Sequence, residues 1–119
     1  MMGVVIVNTL NKGSVVLVEL NGIGNIQRGV RPAVIVSNNK ACEVSPVLTV
    51  VPLTSKTKRP LPTHVELYPS IESGISMTST FLAEQITTIN RTSIKRVMGV
   101  LTSIEIKLIK KAIQKSLAL

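Results

Sequence analysis

The sequence predicts a mainly β protein, a small barrel or rolled sheet, with one helix at its C-terminal end. Short runs rich in valine and isoleucine recur between turn signals along most of the chain, and such β-branched residues suit pleated, half-buried surfaces. The last part of the chain instead carries apolar side chains at helical spacing. With 119 residues, the chain can bury about two thirds of its unfolded surface. We therefore expect one domain over residues 1–119.

The predicted strands are short apolar runs. Several are continuously apolar rather than alternating, so periodicity alone leaves helix open, but their length and valine content favour strand. The runs cover residues 15–20, 33–36, 47–51, 64–67, 80–82, 85–89 and 96–100. Short strands at this spacing are typical of a small barrel or rolled sheet.

The predicted helix follows a capping box. Thr102 and Glu105 have the spacing at which each side chain can bind the other residue's backbone N–H, with Thr102 as the N-cap. The apolar stripe behind this cap consists of Ile106, Ile109, Ile113 and Leu117, widened by Leu108 and Ala112. The remaining face carries Lys107, Lys110, Lys111 and Lys115. These lysines complement the C-terminal end of the helix dipole, and a solvated surface is the simplest interpretation of them.

The chain is strongly basic. It has 14 lysines and arginines against 6 acidic residues, all of them glutamate, and a formal net charge of +8. This charge favours a polyanionic partner, because each cation near a phosphate can release a condensed counterion. On charge alone, an ordinary basic protein is an equally good interpretation.

Three features bear on where the protein acts. The longest run without charge, residues 44–55, has 12 residues and two prolines, whereas roughly 20 apolar residues are needed to span a bilayer. The apolar start MMGVVIV lacks the basic residues of a signal peptide. A single cysteine, Cys42, fits a reducing compartment. We expect a cytoplasmic protein that does not enter a membrane.

Metal and thiol chemistry have few residues to use. With only Cys42 and His64 of their types, the chain can form neither a thiolate cluster nor a multi-histidine site. Cys42 has no histidine near it in sequence, which favours a structural role over a nucleophilic one. We expect no metal and no cofactor.

The turn NGIGNIQRGVRP, residues 21–32, is the most unusual stretch of the chain. It lacks the last glycine of a dinucleotide-binding loop, leads into a strand rather than a helix, and contains no Walker Gly-Lys-Ser/Thr sequence. Its Asn-Gly pair is a strong turn signal and Pro32 suits the start of a strand, which predicts a hairpin loop. Such a loop does not require Gln27, Arg28 and Arg31 together, so an anion-binding loop is the alternative.

Four motifs follow one another along the chain. They are QRGVRPAVIVSN over residues 27–38, VPLTS over 51–55, LPTHVE over 61–66 and LAEQITTI over 82–89. In this order and spacing they resemble the motifs of MazF/PemK-type toxins, the sequence-specific endoribonucleases of toxin–antitoxin modules. The resemblance extends over residues 12–117 and implies an SH3-like barrel with a C-terminal helix.

The resemblance implies metal-free cleavage of single-stranded RNA. In that reaction the 2′-hydroxyl attacks the adjacent phosphorus and leaves a 2′,3′-cyclic phosphate, or its opened 3′-phosphate, and a 5′-hydroxyl. Arg31 matches the family's catalytic arginine, whose fork can hold two phosphate oxygens and neutralise the charge of the transition state. Thr54 matches the catalytic threonine, which would bind the scissile phosphate or orient the 2′-hydroxyl. On the residues alone, a turn threonine is the simpler interpretation of Thr54.

Further residues are candidates for binding RNA. His64 and Gln85 match family residues near the RNA, although a lone histidine is more often structural and an ordinary strand residue is equally compatible with Gln85. Lys56 and Lys58 lie in a basic loop after Thr54, either a solvated loop or a flap on the RNA backbone. The remaining candidates, all in the turn before the second strand, are Asn25, Gln27 and Arg28.

The chain departs from the family pattern in this same turn. Asn25 and Ile26 stand where the family commonly has Ser or His followed by Glu, and Arg28 replaces a small residue. Because an acidic residue at position 26 could assist as base or orienter, its loss leaves the proton acceptor open. The other departures are Thr87, Asn90 and Ser14, where the family usually has Arg, Asp and Asp.

The resemblance also implies partners. A homodimer would build an extended RNA groove, and a cognate antitoxin would fold an acidic, disordered segment over it, which suits the charge of +8. Two alternatives stay open: a toxin of the same fold that binds DNA gyrase, and an RNA-binding module without turnover. Retention of Arg31 and Thr54 argues against the first, and the departures at Ile26 and Thr87 keep the second open.

Overall fold

The computed structural model describes residues 9–56 and 59–119. The strands are β1 (Ser14–Asn21), β2 (Arg28–Ile35), β3 (Val47–Thr54), β4 (His64–Leu67), β5 (Ser79–Leu82), β6 (Thr87–Asn90) and β7 (Ile94–Val100). The helices are α1 (Asn39–Val44) and α2 (Ser103–Leu117), and single 3-10 turns cover Ala83–Gln85 and Arg91–Ser93. In these ranges no helix is both long and apolar enough to cross a bilayer.

The strands form one open antiparallel sheet. Its order is β4-β5-β3-β2-β1-β7, and β6 pairs with β3. The strand β3 is bordered on one side by β2 and on the other side by two strands in succession, β6 along its first half and β5 at its end. This sheet with one C-terminal helix confirms the predicted fold class and fits a small barrel-like fold.

Both faces of the sheet bury apolar side chains. On one face, Val34 belongs to a cluster that also includes Phe81 and two residues of α2. On the other face, the neighbouring residues Ala33 and Ile35 belong to a second cluster, which includes Cys42 of α1. Because successive residues of a strand point to opposite faces, burial on both faces explains why the strand sequences are continuously apolar.

The helix α2 begins with the predicted capping box. The Thr102 hydroxyl accepts a hydrogen bond from the Glu105 N–H at 3.2 Å, and the Glu105 carboxylate accepts one from the Thr102 N–H at 2.9 Å. The buried face is narrower than predicted. Ile109 and Ala112 are buried and Ile106 and Ile113 are partly buried, whereas Leu108 and Leu117 are half exposed.

The strand β2 begins earlier than the sequence predicts. It starts at Arg28 rather than next to Pro32, so Arg31 lies within the strand and the hairpin loop shortens to residues 22–27. The prediction used glycine and proline as strand breakers, but pairing with β1 outweighs them, since each residue of β2 up to Val34 has a partner in β1. The proline is accommodated where pairing with β3 has not yet begun, because that ladder starts at Ala33.

The segment 85–89 was predicted as a strand and is only partly one. Gln85 ends a 3-10 turn that is closed by a hydrogen bond from the Ile86 N–H to the Ala83 carbonyl, and β6 starts at Thr87. The turn is tied to the neighbouring strand by a bond from the Ala83 N–H to the Thr63 carbonyl. These tertiary bonds hold Gln85 out of the sheet, and its side chain consequently points to another partner.

The sequence analysis did not predict the short helix α1. Its N-cap is Asn38, whose side-chain oxygen accepts from the Ala41 N–H at 2.8 Å, and the Arg91 guanidinium donates to the carbonyls of Ala41, Cys42 and Ser45. Arg91 therefore satisfies the end of a helix that its own six residues could not stabilise alone. Burial raises the pKa of the Cys42 thiol, although the charges of Arg91 and Lys12 oppose this shift, and a raised pKa suits a structural cysteine.

Candidate active site

Arg31 and Thr54 lie at the same end of the β2–β3 pair. The ladder between these strands ends at Ala33 and Pro52, and each of the two residues lies two positions beyond that pair. Because residues two positions apart on a strand point to the same face, both side chains lie on the face of Ala33 and Pro52. The two predicted catalytic residues therefore share one end of the sheet but are not paired across the two strands.

A row of polar residues crosses three strands at this end of the sheet. Thr54 pairs with Thr80 of β5, and Thr80 pairs with Glu66 of β4. We call Thr54, Thr80 and Glu66 the polar row. Sequence reasoning missed Thr80 and Glu66, because only the strand register reveals that they align with Thr54. At the end of the row, the Tyr68 hydroxyl donates to the Glu66 carboxylate at 3.0 Å, and this hydrogen bond raises the pKa of Tyr68.

Thr54 is positioned by its place at the end of β3. The residue is only 2% exposed, and its hydroxyl oxygen accepts a hydrogen bond from the Lys56 N–H at 3.3 Å. This local bond is the one that a turn threonine makes. A hydroxyl that accepts one bond keeps its own proton to donate.

Arg31 is held by a bond to its own strand. Its Nε–H donates to the carbonyl of Arg28 at 2.7 Å, and the guanidinium has further donors on its two terminal nitrogens. Arg31 also lines a small pocket of about 130 Å³ together with Leu53, Ser55 and Met77. The bond to Arg28 restrains the direction of the guanidinium, whose two terminal nitrogens form a fork of the kind that can hold an oxyanion.

A larger groove of about 360 Å³ runs under the hairpin loop. One wall is the end of the β1–β2 hairpin, including Ile23, Ile26 and Gln27, and the other wall is formed by Gln85 and by residues 87–90 and 93. Polar groups from both walls meet in it beside apolar side chains, as in many clefts that bind ligands.

Gln85 connects the two walls of the groove. Its side-chain oxygen accepts from the Gln27 N–H at 2.9 Å, and its side-chain nitrogen donates to the Asn25 carbonyl at 3.0 Å. Three of the predicted RNA-binding residues, Asn25, Gln27 and Gln85, are thus in direct contact. Both the oxygen and the nitrogen of the Gln85 amide take part in this contact, which the sequence motif does not predict.

His64 is packed against Glu84 rather than exposed to the groove. The imidazole Nε2 lies 2.8 Å from the Glu84 carboxylate, the Thr63 hydroxyl donates to the other carboxylate oxygen at 2.8 Å, and the His64 side chain is only 8% exposed. The Nδ1 atom is buried and has no hydrogen-bond partner among the described residues. The pair must therefore open before this imidazole can exchange a proton with RNA.

Glu84 is the carboxylate that organises this cluster. Burial by itself would raise the pKa of Glu84, but hydrogen bonds from His64, from the backbone and from Thr63 lower it by more, so the net pKa lies below the ordinary value of 4.5. Glu84 therefore stays ionised, and the sequence analysis did not select it. The signal for Glu84 was its position next to Gln85, which alone does not predict a contact with His64.

The remaining predicted residues are at the surface. Asn25, Arg28 and Lys56 are exposed, and Lys58 lies outside the described residues. Ile26, at the position where an acid was expected, is 60% exposed and brings an apolar side chain to the groove wall. Of the two aromatic residues, Phe81 is fully buried, so only Tyr68 is placed where a base could stack on it.

The fold is that of a known class of toxin. The chain belongs to the PemK-like, MazF-like toxins of type II toxin–antitoxin systems, whose family model matches residues 11–117. It is 33% identical, over 112 residues and 92% of both chains, to the endoribonuclease MazF of Staphylococcus saprophyticus.

Solved structures agree with this assignment. An endoribonuclease in complex with its cognate antitoxin, from mycobacterial species, is 28% identical and superposes with a TM-score of 0.75, covering 92% of this chain and 96% of that one. MazF from Deinococcus radiodurans is 18% identical with a TM-score of 0.79, covering 93% of this chain and 98% of that one. At the lower identity the likeness concerns the fold alone.

Proposed function

We propose that the protein is a metal-independent, sequence-specific endoribonuclease toxin that cleaves single-stranded RNA. The observation that carries this proposal is the position of Arg31 and Thr54, each two residues beyond the Ala33–Pro52 pair that ends the ladder between β2 and β3. Family membership and the name of the staphylococcal relative support it. The roles of Arg31, Thr54 and the RNA-binding residues are part of the same proposal.

Arg31 and Thr54 act on the scissile phosphate. The 2′-oxygen forms a bond to phosphorus, the bond from phosphorus to the 5′-oxygen breaks, and one proton leaves the 2′-hydroxyl while another reaches the 5′-oxygen. The terminal nitrogens of Arg31 donate to the non-bridging oxygens and stabilise their growing charge, and the Thr54 hydroxyl donates a further hydrogen bond. The products are a 2′,3′-cyclic phosphate, or its 3′-phosphate, and a 5′-hydroxyl.

The groove under the hairpin loop receives the RNA on either side of that phosphate. The exposed cations Arg28 and Lys56, which lie outside its lining, would contact the backbone, and Asn25 and Gln27 would face the bases. A cognate antitoxin would cover the same surface with an acidic segment, which the net charge of +8 favours. We also propose that two copies form a homodimer and that the toxin acts in the cytoplasm, where messenger RNA is found.

The test is incubation of the purified protein with a long RNA in EDTA, followed by analysis of the new ends. We expect 5′-hydroxyl ends at a limited set of sites, and loss of at least about 100-fold in rate for Arg31→Ala, since a preorganised donor to the transition state contributes on that order. Arg96→Ala is the matched control, because Arg96 is an exposed arginine on β7, which β1 separates from β2.

The other outcomes separate the alternatives. Absence of cleavage, or cleavage unchanged in Arg31→Ala, would contradict the proposal. Tight RNA binding without turnover would instead indicate a binding module. DNA breaks that depend on gyrase would indicate a toxin of the same fold with a protein target.

A further inference from the structure

The hairpin loop of residues 22–27 has little to hold it in place. Its own backbone bonds are from the Gly22 N–H to the Gln27 carbonyl and from the Ile26 N–H to the Ile23 carbonyl. Ile23 is 81% exposed and Ile26 is 60% exposed, so the loop gains little from apolar burial. Gly24 adopts a positive φ of 64° with open space around it.

Gln85 supplies the hydrogen bonds that reach this loop from outside the hairpin. Within the described residues, both side-chain bonds to the loop come from its amide, to the Gln27 N–H and to the Asn25 carbonyl. The amide thus pairs with the loop as a neighbouring strand would, with one donor and one acceptor. The backbone of Gln85 is in turn fixed by the 3-10 turn in which it lies.

A continuous path of bonds leads from Gln85 to Arg31. The Gln27 N–H is held by Gln85, Arg28 follows directly in the chain, and the Arg28 carbonyl accepts the Nε–H of Arg31 at 2.7 Å. A displacement of Gln27 would carry the Arg28 carbonyl with it. The guanidinium would then lose the bond that fixes its direction.

We infer that Gln85 is a positioning residue for Arg31, acting through the hairpin loop and the Arg28 carbonyl. This inference rests on the proposed function, because it gives Gln85 a part in RNA cleavage. It differs from the expectation that Gln85 reads base edges, since both ends of its amide are already bound to the protein backbone. A base can reach this amide only if the loop is released.

The first test separates the two roles of Gln85 by kinetics. If Gln85 positions Arg31, Gln85→Ala lowers kcat about 10-fold to 100-fold, because a small misplacement of a catalytic group costs on that order. KM should change by a smaller factor than kcat, because the loop keeps the side chains that are proposed to contact RNA. The set of cleaved sequences is read by sequencing the 5′-hydroxyl ends. A broadened set of sequences with an unchanged kcat would overturn the inference in favour of base reading.

A conservative variant provides the rescue. Gln85→Glu keeps an oxygen that can accept from the Gln27 N–H, but its second oxygen cannot donate to the Asn25 carbonyl and is repelled by it. We expect it to recover part of kcat, while KM rises because the added negative charge repels the RNA backbone. A kcat above that of Gln85→Ala supports the bond to Gln27 as the one that holds the loop, and an equal kcat contradicts this.

The second test does not use RNA. In ¹H–¹⁵N spectra of the free protein, Gln85→Ala should shift the Arg31 Nε–H resonance and speed hydrogen exchange at the Gln27 amide at least about tenfold, as expected for a lost hydrogen bond. The Val36 amide, bonded to the Thr49 carbonyl at the other end of β2, is the control and should stay protected. Unchanged Arg31 and Gln27 signals would overturn the inference, whatever the kinetics.

A double variant tests whether Gln85 acts through Arg31. Arg31→Lys lacks the Nε–H that binds Arg28, so Gln85→Ala should cost less than about threefold in kcat when added to it, although it costs more in the wild-type background. Full additivity would contradict a route through Arg31. If the wild-type protein cleaves no RNA, the proposed function fails, and the link between Gln85 and Arg31 is still decided by the spectra.

Discussion

At the scale of single residues, the candidate site uses each polar side chain in part for structure and leaves the rest for chemistry. Arg31 donates its Nε–H to a backbone carbonyl, and the Thr54 hydroxyl oxygen accepts a hydrogen bond from a backbone N–H. Both groups keep donors that are not part of these bonds. Local bonds of this kind fix the orientation of a side chain before substrate binds, which is the condition for electrostatic catalysis.

His64 and Glu84 differ from Arg31 and Thr54, because the polar groups of both side chains are used in the hydrogen bond between them. The folded protein lowers the pKa of Glu84 below 4.5. The ionised carboxylate therefore stabilises the fold above about pH 4.5, and this contribution is lost as the pH falls through the lowered pKa.

We predict that Glu84→Gln destabilises the fold at pH 7 and that the difference from wild type shrinks toward pH 3. Urea denaturation at several pH values measures the free energy of unfolding of both proteins. Glu43→Gln, at an exposed carboxylate of α1, controls for the loss of one negative charge. A difference that is constant or grows at low pH would show that the carboxylate of Glu84 does not stabilise this cluster.

At the scale of elements, the ends of strands and helices carry most of the specific bonds. Thr54 ends β3, Thr102 caps α2, and Arg91 binds the carbonyls at the end of α1. Elements as short as these gain little stability from their own backbone bonds. Their caps and cross-links therefore decide whether they form.

We predict that Thr102→Ala lowers the free energy of unfolding by about 1 kcal/mol, the usual cost of losing an N-cap. The reason is that the Glu105 N–H loses its acceptor and the reciprocal bond of the capping box loses its geometry. Urea denaturation followed by circular dichroism gives the value. Thr78→Ala, at an exposed threonine outside the helices and strands, is the control and should change stability by less than about 0.5 kcal/mol.

At the scale of the whole molecule, the cations behind the net charge of +8 include the lysines of α2 and exposed residues at the ends of β2 and β3, and none of them lines the groove. The lysines of α2 lie on the face away from its buried residues, whereas Arg28 begins β2 and Lys56 follows the end of β3. Only cations that touch phosphates should contribute to the salt dependence of RNA binding.

We predict that Arg28→Gln reduces the slope of log Kobs against log salt by about 0.7, the value for one phosphate contact on a single strand. Lys107→Gln, which removes an equal charge from α2, should leave the slope unchanged. Fluorescence anisotropy with an RNA that carries 2′-deoxyribose at the cleavage position measures binding without cleavage. Equal reductions in both variants would mean that the charge acts as a general field and not through a contact.

The fold class and the helix could be predicted from the sequence, because they depend on local patterns. Valine-rich runs and the Thr102–Glu105 spacing are properties of neighbouring residues, and the structure confirms both. The predicted start of β2 was wrong, because pairing with β1 overrides the local effect of Gly29 and Pro32. The helix α1 was missed, because its stability depends on Arg91, which is distant in sequence.

The sequence by itself determined which chemical groups this protein has: a basic, aliphatic chain with Arg31 and Thr54 in family motifs and without an acid at position 26. The tertiary structure decided which groups meet. Strand register aligned Thr80 and Glu66 with Thr54, and the 3-10 turn directed Gln85 to the hairpin loop and Glu84 to His64. The physical reason is that register and turn geometry are fixed by contacts between segments distant in sequence, which no local pattern contains.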